Sequence, residues 1–405
     1  MRDRMHFLLL NIGHFLDHLF TLIFATVAAL ALHREWGLGY ADLLKYATPG
    51  FLAFGLFALP AGWIADKWSR EGMMSVFFIG IGFASIATAF ARTPFEIGLG
   101  LFVVGVFAAI YHPVGLAIVV AKWKNTGMRI AVNGVWGNLG VASAALVTGY
   151  FIDHGGWRIA FVVPGIISIG IGIFYTVLRW EEIKEQVARS KAPAASKTVA
   201  QVAHSADVKA MLLRISMIVF LTTAVSSIVF QSTTFALPKV FDERLGGIAT
   251  SATALGQLAF VVFALASVGQ LIVGHFLDKL GPRIVFMTAA FVQLVFFSLM
   301  PGLSDWAALA CAMVFMLAAF GQIPINDYMI GRLAEGEWRA RIYGVRYVVS
   351  FTVLAAALPL IAFIYERWGF DALFRVLALS AAVILAAVFM LPQRLPEAQA
   401  AAARA

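Results

Sequence analysis

The sequence has a single cysteine, Cys311, so no intrachain disulfide is possible and cysteine gives no clue to compartment. No Gly-x-x-x-x-Gly-Lys-Ser/Thr loop occurs, which removes local machinery for ATP-driven work. The absence of His-Glu-x-x-His and Gly-x-Ser-x-Gly argues against a hydrolase, and we expect neither enzymatic activity nor a cofactor. Charge is sparse, at 13% of residues, and the net +8 contains no basic run interleaved with aromatics, so nucleic acid is not an expected partner. What is present is apolar. The 405 residues are 61% hydrophobic, with 35 Phe and 35 Gly, a mixture suited to a polytopic helical membrane protein rather than a soluble one.

Twelve apolar runs follow one another, near 7–32, 40–64, 72–91, 95–121, 130–152, 157–179, 210–235, 251–276, 284–303, 306–331, 342–365 and 370–391. The first is too long for a signal peptide and lacks a clear small-residue cleavage site, so it reads as a retained span. Short connections make neighbouring spans antiparallel. The exception is a polar Ala/Ser/Lys-rich stretch, which divides the chain into a bundle at 1–180, a linker at 181–209, a second bundle at 210–392 and a tail at 393–405. With the N-terminus inside, 21 Lys/Arg fall in the termini and inner connections, eight on the other side, and Arg346 within a span. The bias towards the inner side places both termini and the linker in the cytoplasm, and the protein in a cytoplasmic membrane.

The first span carries its own chemistry. His14, Asp17, His18 and Thr21 are spaced i, i+3, i+4 and i+7, so one helix face presents them all. Asp17 is the only carboxylate near the middle of any span, where an ionisable group is costly unless paired or hydrated. Such a stripe marks a pathway for ions or solute; the plainer alternative is a hydrogen-bonded packing site.

The two halves repeat. Gly62-Trp-Ile-Ala-Asp66-Lys67-Trp-Ser-Arg70 follows span two, and Gly274-His-Phe-Leu-Asp278-Lys279-Leu-Gly-Pro-Arg283 follows span eight. Asp66 and Asp278 are 212 residues apart, as are Arg129 and Arg341; Pro113 and Pro324 differ by 211, Phe161 and Phe374 by 213. So constant an offset implies two homologous six-helix bundles. The aspartates are placed at helix ends, where a carboxylate caps backbone N–H groups, and the basic residues hold those ends at the interface. The alternatives are a conformational latch, favoured because the pattern occurs twice, and topology alone.

A Gly-x-x-x-Asp-Arg/Lys-x-Gly-Arg loop after the second of twelve spans resembles the major facilitator superfamily, and the resemblance covers the whole chain. It implies an all-α integral membrane fold of twelve transmembrane helices in two pseudo-symmetric bundles, and a secondary transporter with alternating access. Tyr111-His112-Pro113 in span four, followed by Arg129-x-x-x-Asn133-Gly-Val-Trp136-Gly-Asn138-Leu-Gly140, is similar to the fosmidomycin-resistance branch of bacterial permeases. Ser69 and Glu71 stand where the family has glycine and a basic residue, which weakens the first latch. The resemblance pairs Asp66 with Arg341 and Asp278 with Arg129 when the cytoplasmic side is closed.

Spans one, four, seven and ten line the path in that superfamily. Candidate cavity residues are therefore the first-span stripe, Tyr111 and His112, Asn133, Trp136 and Asn138 of span five, Gln231 in a Ser/Thr-rich span seven, and Gln322, Asn326 and Asp327 of span ten. Asp327 and Arg346 lie at matching depth, to be read either as a pair or as charges that snorkel separately. Gly134, Gly137 and Gly140 are expected to serve close helix packing. The leading reading is proton-coupled movement of a small organic solute by a monomer in the lipid bilayer. The runner-up is a divalent metal or its chelate, with His14, Asp17, His18 and His112 as ligands; a membrane sensor that binds without transport is a further alternative.

Overall fold

The computed structural model describes residues 2–123, 126–190, 206–333 and 336–391, with side chains at 127, 206–212, 327 and 330–347 outside the description. The side chains of Asp327, Arg341 and Arg346, expected in the cavity or the latch, therefore lie outside the described residues. Among the described residues the chain is helical throughout, with ten helices long and apolar enough to cross a membrane. Satisfying every backbone group within each segment is what a bilayer demands. The protein is a multi-pass membrane protein.

In order, α1 is Arg2–Glu35, α2 Tyr40–Lys67, α3 Arg70–Ala89 and α4 Pro94–Lys122. Then come α5 Thr126–Gly155, α6 Trp157–Leu178 and the short, polar α7 Trp180–Ser190. The second half contains α8 Ala206–Arg244, α9 Ala252–Leu299, α10 Asp305–Leu333 and α11 Gly336–Phe389. Gly281, at φ 77°, breaks α9, and Gly369, at φ 71°, breaks α11. Both backbones sit where side chains with a Cβ are disfavoured, so each long helix holds two of the expected spans. With those two breaks, the ten crossing helices accommodate the twelve apolar runs.

Local chemistry sets the helix starts. Ser69 accepts from Gly72 N at 2.9 Å to open α3, and Thr93 accepts from Glu96 N at 3.2 Å ahead of Pro94 to open α4. This corrects the capping role expected of Asp66. The aspartate lies in the last turn of α2, where helical N–H groups are already bonded, and instead pairs with Arg70 at 2.8 Å. In α4 the helix is interrupted at Ala109–Ile110, just before Pro113, and resumes at Tyr111.

Packing divides into two groups. In the first half α1 packs on α5, α3 on α6 and α2 on α4; in the second α9 packs on α10 and α8 on α11. The halves meet where α5 lies against α9 and α2 against α11. At that seam a Cβ on Gly256 would come within 2.5 Å of the Ala145 carbonyl oxygen, so glycine lets the backbones touch.

Candidate functional site

Between the halves lies a cavity of about 470 Å³, walled by α1, α4 and α5 on one side and α8, α9, α10 and α11 on the other. Its first-half wall contains His14, His18, His112, Asn133 and Asn138. The opposite wall presents Thr223, Ser226, Gln270, Gln322 and Asn326. The two meet where Asn138 Nδ2 donates to Gln270 Oε1 at 2.8 Å.

The histidine wall is built on a buried polar knot. Tyr111 donates to the Leu10 carbonyl at 2.7 Å; Asn133 Nδ2 donates to the Tyr111 hydroxyl at 2.8 Å and to Asn11 Oδ1 at 2.9 Å. These bonds tie α1, α4 and α5 together where an unpaired polar group would be expensive. On this base His14 stacks against Tyr111, ring centroids 4.8 Å apart and planes 20° apart, and its Nδ1 meets the Asn133 carbonyl oxygen at 2.8 Å. A Cβ on Gly137 would lie 2.6 Å from His14 Nε2, so that glycine makes the space for the ring. His18 follows one turn later with its centroid 5.0 Å from that of His14; His112 lies 5.1 Å from His14 and 5.5 Å from His18.

Asp17 is fully buried behind this triangle, its Oδ2 3.5 Å from His112 Nε2, and among the described residues neither carboxyl oxygen has a hydrogen-bond partner. A buried carboxylate without donors retains its charge only if a nearby cation compensates it, and otherwise takes up a proton. The charge state of the cluster is thus tied to its geometry.

Not every candidate joins the cavity. Thr21 hydrogen-bonds back to the His18 carbonyl at 3.1 Å and lines a smaller apolar pocket with Phe20 and Phe51. Trp136 and Gln231 are not part of the cavity wall; Gln231 is buried within α8. Gln322 is held from both sides, by Ser226 at 2.7 Å and Gln293 at 2.7 Å. Asn11 and Gln270 escaped the sequence reading, although Asn11 falls three residues before His14 on the same stripe.

The cavity extends to the loop end of the bundles, where Gly274 of the second-half loop lines it. Arg129 stacks over Phe7 at 4.4 Å, and Asp278 has no ion-pair partner among the described residues. Nearby Ile130 and Ala131 are exposed and line the cavity mouth. At the far end the halves are locked: Asp153 accepts from Thr253 N at 2.7 Å and from Thr253 Oγ1 at 2.5 Å, and Tyr40 packs edge-on to Tyr365.

Glu71 also acquires a role that its position in the loop did not suggest. It is buried, bonded to the Tyr175 hydroxyl, 3.2 Å from His6 Nε2 and 3.1 Å from Arg179. Arg179 continues to Glu182, and Gln186 accepts from Ser69 Oγ at 2.7 Å, so α7 is fastened to the first bundle.

The chain matches the Major Facilitator Superfamily over residues 10–252 and 219–405, and it belongs to that family. It is 25% identical over 145 residues to a gallate transporter of Pseudomonas putida, covering 35% of this chain and 32% of that protein. It is 28% identical over 214 residues to the niacin transporter NiaP of Acinetobacter baylyi, covering 51% of this chain and 47% of the other. The matched length is thus about a third to a half of these relatives. Among solved structures, a peptide transporter POT in complex with alafosfalin superposes with a TM-score of 0.76 at 13% identity, covering 94% of this chain and 93% of that one. The inward-open xylose transporter XylE from E. coli gives 0.72 at 11%, with 96% of each chain covered. At those identities the likeness is one of fold.

Proposed function

We propose that this protein is a secondary active transporter that moves a small organic solute by alternating access, driven by protons that exchange at Asp17 and the three histidines. The observation that carries the reading is the cavity between two bundles, with a buried carboxylate and three imidazoles in its wall. Asp153 and Thr253 join the halves at one end, and we take the other end, lined by the exposed Ile130 and Ala131, to be the open one. Rocking of the bundles would reverse which end is open and change the surroundings of Asp17, coupling access to protonation. Relatives named as transporters of gallate and niacin support a small organic cargo. His112-Pro113 and the span-five glycines support a place near the fosmidomycin-resistance branch. We assign the protein to the bacterial cytoplasmic membrane as a monomer, with the open end and both termini in the cytoplasm. The latch pairs Asp66–Arg341 and Asp278–Arg129 would form when that end closes.

The test is reconstitution into liposomes with an imposed pH gradient and a panel of labelled small carboxylates, sugars and drugs. Accumulation of one member that collapses with a protonophore is the expected result. Solute movement indifferent to the gradient would remove proton coupling, and no movement of any member, against a leak-tested positive control, would remove the transport reading for that panel.

A further inference from the structure

The first-half wall carries more than proton chemistry requires. The ring nitrogens offered by His14, His18 and His112 all lie within 4.8 Å of one another. His14 and His18 are one helical turn apart, and α4 brings His112 across to close the triangle. His14 is only 7% exposed, and its Nε2 has no hydrogen-bond partner among the described residues, while its Nδ1 is fixed by the Asn133 carbonyl. An N–H on Nδ1 bonded to a carbonyl leaves the Nε2 lone pair as the ligand, the usual outer support of a metal-bound imidazole. Asp17 beside His112 supplies the second form of that support, a carboxylate paired with an imidazole.

We propose that His14, His18 and His112 form a three-imidazole site for a divalent ion of the zinc or cobalt class, with Asp17 orienting His112. Tetrahedral bonds of about 2.1 Å place ligand nitrogens roughly 3.4 Å apart, a contraction of about 1.4 Å at most from the spread seen here and within reach of imidazole rotation. Three protein ligands leave a fourth position, and all three histidines border the cavity. A solute bearing an oxygen donor can complete the shell from there, so the ion and an organic chelator would share the cavity. This extends the substrate class of the proposed transporter, but the ion site itself rests on side-chain geometry and stands without transport.

Titration of the full-length protein, purified in detergent without a histidine tag, with Co²⁺ provides the test. We expect the visible bands of tetrahedral nitrogen-ligated cobalt. His14→Ala, His18→Ala and His112→Ala should each weaken Co²⁺ binding by tenfold or more. Asp17→Asn should weaken it by about tenfold, and His154→Ala, far from the cavity, should leave it unchanged. His18, half-buried at the cavity wall, is the variant least exposed to folding failure; thermal melts identify any that unfold. Absence of the bands in the wild type, or unchanged affinity in a folded His18→Ala variant, would overturn the site. Proteoliposome flux separates the two readings: cobalt bands without flux of any solute retain the site and refute transport, whereas gradient-driven flux without bands does the reverse.

Discussion

At the residue scale, the first-half wall depends on how small a neighbour Gly137 is. Replacing it with alanine puts a methyl group into the His14 ring, which is pinned on its other face by Tyr111 and at Nδ1 by the Asn133 carbonyl. The ring must move or the α1–α5 contact must open. We expect Gly137→Ala to fold with a Tm lower by a few degrees and to reduce solute flux by tenfold or more, whereas Gly170→Ala, away from the cavity wall and with open space at its Cβ, leaves both near wild type. Equal effects of the two would show that His14 tolerates displacement. The stripe of His14, Asp17 and His18 was legible because helical spacing alone puts these residues on one face, and His112 was legible through its proline. Asn11 was legible only in part: it falls on the same stripe three residues before His14, but what it bonds to, Asn133, lies 122 residues away in sequence. Thr21 shows the opposite error. Spacing placed it on the stripe, but by its turn of α1 the neighbouring surface is an apolar pocket rather than the cavity.

At the element scale, α3, α6 and α7 are joined by the Glu71 cluster. In the loop pattern alone, Glu71 is a carboxylate in place of a basic residue and so weakens the latch. In three dimensions the same change creates the partner for Arg179, His6 and Tyr175, none of which is near Glu71 in sequence. Removing one member of a buried ion pair strands the other and costs about 3–5 kcal/mol. Glu71→Ala should therefore lower the melting temperature markedly. Arg179→Met on the Glu71→Ala background should cost much less than Arg179→Met alone, because no buried carboxylate remains to be stranded. Additive losses in a thermal double-mutant cycle would show that the two side chains act independently. The capping of α3 by Ser69 rather than Asp66 has the same origin: the sequence marks that a helix ends near the loop, but not which residue falls in the last turn of α2 and which in the cap of α3.

At the scale of the whole molecule, the fold was legible almost entirely: twelve apolar runs, a central polar stretch and a repeat of about 212 residues point to two bundles. What the sequence withheld was how the halves stand to one another, because that depends on contacts such as Asp153–Thr253 and on glycines such as Gly256 that let α5 and α9 touch. Asp153→Asn weakens the far-end lock by removing a charged acceptor, and a cysteine placed at the neighbouring Ala252 should then label faster with a polar maleimide. The native Cys311, buried in α10, gives a low background. Asp278→Asn should act at the other end and slow its closure, so that a cysteine at Ile130 labels more under conditions that favour the closed form. An unchanged pattern in both variants would remove the latch from the account. The central claim is that Asp17 links protons to solute movement, and its most direct measurement compares two assays on one variant in the same liposomes. In Asp17→Asn, accumulation driven by a pH gradient should fall to the level of empty liposomes, while exchange of solute across the membrane without a gradient persists within a fewfold of wild type. Full, pH-sensitive accumulation by Asp17→Asn would contradict the account.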